Sequence, residues 1–292
     1  MKVDIDTKFI TLLGKPLHQS FSARMQNAAY KAMGRNLLYF YTEAEEKQLE
    51  DIIKGIRNMP FVGFAVTKPN KVRVLKYLDE LDPLCEKMGA CNTVAICGGK
   101  LKGYNTDGIG FRISFSEETR MDISKNTFFC AGAGGAGRAI SSVLAYDGAK
   151  KIYVYDIINS RAEELAEDIN SNFPGAAEFV PFEDRDAMNK AGTADVLINA
   201  TGVGMAETID QSPFPVEVIR SGHICYDATY NPLQTCFLRQ GREKGCVTIN
   251  GTGMLLYQGA AQIKIWTGED APVEVMAREL EDILAEKTRR GI

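Results

Sequence analysis

The string Gly132-Ala133-Gly134-Gly135-Ala136-Gly137 limits the folds open to this chain more than any other stretch. It follows an apolar run over residues 127–131 and opens a segment, 135–146, whose apolar residues recur at helical spacing. Strand, glycine-rich turn and helix in that order make a dinucleotide-binding turn. The glycines let the backbone bend sharply and approach a pyrophosphate, whose charge meets free N–H groups and the positive end of the helix dipole. Without that context the string would be an ordinary glycine-rich turn. The expectation is a Rossmann-type α/β domain with Gly132, Ala133, Gly134, Gly135 and Ala136 on the cofactor.

The next apolar run, 151–155, ends on Asp156, which stands 24 residues after Gly132. A carboxylate there hydrogen-bonds the adenosine ribose hydroxyls and repels a 2′-phosphate. Ile157 and Ile158 supply no guanidinium, and Arg161 lies in the first turn of the next helix, where a surface arginine is ordinary. The expected cofactor is NAD, with NADP less favoured. Ser160 followed by Glu163 reads as a capping box that starts a helix over 161–170. Further strands are expected at 195–199, 223–228 and 246–250, then helices at 254–266 and 272–287.

A chain of 292 residues exceeds one typical core. The N-terminal half carries its own α/β pattern: apolar runs at 9–13, 37–41 and 61–66, a helical stretch ending at Gly34, a helix over 70–81, and a strand over 90–97 that turns at Gly98 and Gly99. The expected fold class is α/β in two domains with a deep cleft between them. Residues 1–108 plus 253–292 form the N-terminal α/β substrate domain, and 109–252 the Rossmann-type dinucleotide-binding domain, joined by a short helical boundary near 108–118.

Charge excludes other classes. With 34 basic against 38 acidic residues and a net charge of −4, no basic patch is available for nucleic acid. No apolar stretch approaches the roughly 18 residues of a membrane span, and no leader pattern is present, so a cytoplasmic protein is expected. The seven cysteines contain no Cys-x-x-Cys pair, and with only His18 and His223 neither a metal site nor a Ser-His-Asp triad is expected.

Six polar or glycine-rich strings stand in order: Ser20-Phe-Ser22, Thr67-Lys-Pro69-Asn-Lys71, Gly89-Ala-Cys-Asn92-Thr93, Asn105-Thr-Asp107-Gly108, Asn199-Ala-Thr201-x-x-Gly204-Met205, and Gly251-x-Gly253-Met-Leu-Leu-x-Gln258. In order and spacing they resemble the shikimate dehydrogenase family over nearly the whole chain. Met25-Gln-Asn27, Pro69-Asn-Lys71 and Tyr230-Asn-Pro232 are most similar to its quinate/shikimate subgroup. The resemblance implies a ring acid as small-molecule substrate, its carboxylate held by Ser20 and Ser22 near Tyr230, and its hydroxyls met by Thr67, Asn92, Asp107 and Gln258. It implies Lys71 with Asp107 at the reacting hydroxyl, and Thr201, Gly204, Met205 and Gly253 on the cofactor. Three positions depart from the pattern: Gln19 where the family has His, Ala23 where it has Pro, and Ala65 where many shikimate-specific members have Asn. The Asn-Arg-Thr of NADP-using members is replaced by Asp156-Ile157-Ile158.

Oxidising an alcohol removes a hydride to the nicotinamide and a proton from the hydroxyl, so one group must take that proton. Lys71 is the expected acid/base group with Asp107 its orienting partner. The reverse allocation stays open, since an adjacent carboxylate tends to keep a lysine charged. The expected activity is NAD-dependent oxidation of shikimate, quinate or both. The alternatives are a shikimate-specific NADP enzyme of aromatic amino acid biosynthesis and, from another class, a dinucleotide-sensing module without turnover. A homodimer is compatible with the sequence, which does not fix the assembly.

Overall fold

The α/β pattern that restarts with the apolar run at 127–131 corresponds to a second sheet. The computed structural model describes residues 3–18 and 20–290. The chain forms two compact units, Met1–Thr106 with Leu256–Ile292, and Asp107–Leu255. The division thus falls two residues before the boundary expected at 108 and three after the one expected at 253, and it assigns Asp107 and Gly253 to the second unit.

The first unit contains β1 (Lys8–Gly14), α1 (Ser22–Ala32), β2 (Leu37–Glu43), α2 (Glu46–Arg57), β3 (Phe61–Val66), β4 (Glu80–Leu81), α3 (Pro83–Met88), β5 (Thr93–Cys97) and β6 (Lys100–Tyr104). Its sheet has the order β2-β1-β3-β5-β6-β4. Strands β1, β2 and β3 run parallel, while β5 is antiparallel to both β3 and β6. One face is covered by α2, with Leu49, Ile53 and Ile56 buried against Leu13, Phe64 and Val66. The other face packs Ile10, Leu12, Tyr39 and Ala65 against Met25, Ala29 and Ile263. Helix α2 has a capping interaction, the Glu45 N–H donating to Gln48 Oε1 at 3.0 Å.

The helix expected over 70–81 is not formed. That stretch holds one 3₁₀ turn, Arg73–Tyr77, and then joins the sheet as β4. Glu80 pairs with Lys102 and Leu81 with Gly103, and Asp79 exchanges backbone and side-chain hydrogen bonds with Leu101. Pairing with an available sheet edge outweighs the weak helical preference of the segment.

The second unit runs through α4 (Thr106–Thr119), β7 (Thr127–Ala131), α5 (Gly135–Tyr146), β8 (Lys151–Tyr155), α6 (Asn159–Asn172), β9 (Ala177–Val180), α7 (Ala187–Thr193), β10 (Val196–Asn199), β11 (Ile224–Asp227), α8 (Cys236–Glu243) and β12 (Val247–Ile249). The helices α9 (Thr252–Thr267) and α10 (Val273–Arg290) follow. All six strands of the second sheet are parallel in the order β12-β11-β10-β7-β8-β9, the doubly wound Rossmann arrangement. Central strands covered on both faces must be apolar throughout. Accordingly β10 is Val-Leu-Ile-Asn, fully buried, and Phe129 of β7 packs on Tyr155 and Phe214. The strand order reverses between β7 and β10, and at such a point the loops after the strand ends diverge and leave room for a ligand.

The capping box expected at Ser160 and Glu163 is also absent. Helix α6 starts two residues earlier than expected, at Asn159, without a side-chain cap. The Asn159 side chain instead reaches sideways, accepting from the Phe182 N–H at 2.8 Å and donating to Glu183 at 2.8 Å. No helix among the described residues is long and apolar enough to cross a membrane.

Candidate active site

In the second unit the glycine-rich turn sits at the carboxyl end of β7, and each glycine has its own reason. Gly132 has φ +103°, and a Cβ on it would lie 2.6 Å from the Ala200 carbonyl, so both its conformation and its neighbour require glycine. A Cβ on Gly137 would run into the Gly132 carbonyl, and α5 could not then pack this close to the strand. Gly134 differs: its φ of −75° suits any residue, and a Cβ would meet nothing within 4 Å. Protein packing does not explain that glycine, whereas a pyrophosphate resting on the turn does. The residues present therefore fit a dinucleotide. Gly134 and Gly135 are exposed at the start of α5, beside half-buried Ala136.

Asp156 is almost buried, at 9 % exposure. Its Oδ2 accepts from the Ala133 N–H at 2.7 Å and its Oδ1 from the Ile158 N–H at 2.9 Å. A carboxylate has about four lone-pair sites, so these two bonds leave acceptor capacity for a ribose hydroxyl. One side chain thus braces the turn and keeps acceptor capacity beside it. Ile157 is 73 % exposed and Arg161 is exposed. Arg138 is held in ion pairs with Asp168 and Glu164.

A second loop cluster follows β10 and β11. Asn199 Oδ1 accepts from the Thr201 N–H at 3.1 Å and the Thr201 hydroxyl at 2.7 Å, and the Val203 N–H donates to Thr201 Oγ1. The Asn199 amide donates to the Val203 carbonyl and to Asp227, which also accepts from the Thr235 hydroxyl at 2.7 Å and the Thr229 N–H at 2.9 Å. Burial pushes the Asp227 carboxyl above the usual carboxylate range, opposed by those donors. This network shapes the loop carrying Thr201, Gly204 and Met205 and the turn leading to half-buried Tyr230. Gly204 has φ +99°. Gly253 has a packing explanation of its own, since a Cβ there would collide with Ser114. Asp227, Asn199 and Thr235 were not singled out from the sequence as a network. The available signal was a string of polar residues at the ends of two apolar strands.

In the first unit, the strings expected to bind substrate lie at strand ends and on helix starts. Ser22 is the first residue of α1 and buried, and its N–H donates to Ser20 Oγ at 3.3 Å. The helix cap is Phe21, so Ser22 is not spent on capping. Tyr41 pins the loop by donating to the Ser20 carbonyl and accepting from the Ala23 N–H. Thr67 follows β3, its N–H donating to the Leu13 carbonyl at 2.8 Å. The half-buried Lys71 accepts through its carbonyl from the Cys91 N–H at 2.8 Å, tying that turn to Asn92. Asn92 is buried with Thr93 and Thr106, and Gln258 is buried on α9. Asp107, also buried, opens the second unit, one residue after the Thr106 hydroxyl that touches Asn92 at 2.9 Å. Gln19 lies outside the described residues.

An all-parallel doubly wound sheet with a glycine cradle at its switch point, preceded by a mixed α/β unit rich in buried polar side chains, defines a dinucleotide-binding protein of the two-domain dehydrogenase class. The chain belongs to the shikimate dehydrogenase family. The family model for the shikimate dehydrogenase substrate binding domain matches residues 12–94, and that for the shikimate 5′-dehydrogenase C-terminal domain matches 251–281. The chain is 38% identical over 280 residues to the shikimate dehydrogenase (NADP(+)) of Desulforamulus reducens, covering 96% of each. It is similar to the crystal structure of shikimate 5-dehydrogenase from Listeria monocytogenes in complex with shikimate and NAD, with TM-score 0.89, 35% identity, and coverage of 97% of this chain and 98% of that one. The quinate dehydrogenase of Corynebacterium glutamicum in complex with NAD is also similar, with TM-score 0.86, 29% identity, and coverage of 94% and 99%.

Proposed function

We propose that the chain is an NAD(P)-dependent dehydrogenase that reversibly oxidises one ring hydroxyl of shikimate. The observation that carries the redox half is the glycine at 134, which no protein contact requires and a dinucleotide does. Likeness to shikimate dehydrogenases along nearly the full chain carries the substrate half. A bound nicotinamide accepts the hydride. The chain's own residues do the rest: Ser20, Ser22 and Tyr230 take the ring carboxylate, and Thr67, Asn92, Asp107 and Gln258 take its hydroxyls. Lys71 moves the proton of the reacting hydroxyl, with Asp107 orienting it. Gly132, Ala133, Gly135 and Ala136 cradle the pyrophosphate, and Thr201, Gly204, Met205 and Gly253 line the cofactor.

On the choice of dinucleotide, the names of relatives speak for NADP. The ribose position of this chain speaks for NAD, because a buried carboxylate beside a 2′-phosphate is repulsive and Ile157 offers no compensating cation. Quinate is a second substrate reading, favoured by the Tyr230-Asn-Pro232 string and the likeness to a quinate dehydrogenase. Initial rates followed at the reduced-nicotinamide absorbance, crossing both acids with both dinucleotides, test the reading. Shikimate turnover with at least one dinucleotide is expected, faster with NAD. No turnover of shikimate with either sinks the proposal.

A further inference from the structure

On the shikimate-oxidising reading, Asn92 offers its amide to a ring hydroxyl, so whatever fixes that amide bears on substrate binding. Its Oδ1 accepts from the Thr106 backbone N–H at 2.7 Å, which identifies the oxygen, since only an acceptor can face an N–H. Oδ1 also accepts from the Thr93 hydroxyl at 2.9 Å, while Nδ2 donates to Thr106 Oγ1 at 2.9 Å. One Nδ2 proton is left over among the described residues.

Thr93 has a single proton, and giving it to Asn92 leaves its oxygen to be supplied by another donor. Gln262 of α9 supplies it, Nε2 to Thr93 Oγ1 at 3.0 Å, closer than the Thr106 hydroxyl at 3.2 Å. Ala65, directly opposite Thr93 in the β3–β5 pairing, has no polar group to do so. A glutamine amide could sit either way round. Gln26 of α1 settles this one by donating to Gln262 Oε1 at 3.1 Å. Gln26 is oriented in turn by the backbone, since its Nε2 also donates to the Gly259 carbonyl at 3.1 Å. Between the two backbone anchors, the Gly259 carbonyl that accepts from Gln26 and the Thr106 N–H that donates to Asn92, Gln26 donates to Gln262, Gln262 to Thr93 and Thr93 to Asn92, through four buried side chains of α1, α9, β5 and the residue before β5.

Stability alone does not account for this chain. Gln26 Oε1 is buried without a hydrogen-bond partner among the described residues, a cost that an apolar side chain of the same shape would avoid. Such a buried polar network fixes a unique geometry. We infer that Gln26 and Gln262 are positioning residues for substrate: acting through Thr93, they hold Asn92 so that its free amide proton meets a ring hydroxyl of the acid.

The test compares Thr93→Val, Gln262→Glu and Gln262→Met with the conservative Thr93→Ser, by steady-state kinetics and by calorimetric binding of shikimate. Gln262→Glu still accepts from Gln26 but cannot donate to Thr93, so the direction of the network reverses with little change of shape. The expected result is a rise of about tenfold in the shikimate KM and Kd for Thr93→Val and both Gln262 variants, with kcat and the dinucleotide KM within about threefold and Thr93→Ser close to wild type. A lowered melting temperature or active fraction with shikimate KM and Kd unchanged overturns the inference. If the wild-type protein binds shikimate without turning it over, the functional reading fails while Kd still decides the inference. If it binds no shikimate, both fall.

Discussion

Alanine at Gly134 and alanine at Gly137 should injure the protein in different ways. At Gly137 the added Cβ lies 2.8 Å from the Gly132 carbonyl carbon and nearer still to its oxygen, against 3.4 Å for ordinary contact, so α5 must retreat from β7 by at least about 0.6 Å. Overpacking of this kind costs about 2 kcal/mol, or about 4–8 °C in a unit of this size. At Gly134 the Cβ meets no protein atom within 4 Å and φ is ordinary. The gain of about 0.5 kcal/mol from a stiffer unfolded chain roughly cancels the loss of glycine as a helix cap, leaving Tm within about 2 °C. The same methyl would stand where the pyrophosphate rests, raising the dinucleotide KM at least about tenfold, or about 1.4 kcal/mol. Differential scanning calorimetry and initial rates at varied dinucleotide separate the two variants. A Gly134→Ala protein that keeps its dinucleotide KM within twofold would refute the assignment of that open space to a cofactor.

Lys71→Ala should lower kcat with shikimate by about a hundredfold or more. A loss smaller than tenfold removes Lys71 from proton transfer. Asp156→Asn combined with Ile157→Arg should raise kcat/KM with NADP relative to NAD by at least about tenfold, and an unchanged ratio sinks the ribose argument. His223 is buried, its Nδ1 accepting from the Arg220 N–H and its Nε2 facing the Gly192 carbonyl at 3.3 Å. Burial lowers its pKa, so the unfolded chain takes up the proton first on acidification and stability falls as pH drops below about 6.5. Melting temperatures between pH 8 and 5 should show a shallower acid slope for His223→Gln, and an identical slope would mean that other groups set it.

Periodicity and glycine chemistry made the second unit legible: the turn at 132–137, the strands at its sides and the carboxylate at 156 all follow from local pattern. What local pattern could not carry was decided by partners distant in sequence. The stretch 70–81 became a turn and an edge strand because β6 was there to pair with it. Helix α6 gave up the Ser160–Glu163 box because Asn159 bonds Phe182, 23 residues on. The amphipathic α2 and the short β9 passed unread from the sequence, the former although its apolar residues recur at helical spacing. In the site, the strings around Asn92 and Lys71 were visible as strings. That Gln26 and Gln262 reach Asn92 through Thr93 was not, since residues 26 and 262 meet only in the folded chain.

The hydrogen bond from the Ala133 N–H to Asp156 carries an evolutionary consequence. On the proposed function, a lineage switching dinucleotides cannot treat position 156 as an isolated specificity letter, because deleting the carboxylate also releases the glycine-rich turn from its brace. Substitutions that keep an acceptor there are the passable first steps, and a new arginine at 157 becomes useful only after one of them. The order in which mutations can be accepted is therefore written into a single 2.7 Å contact.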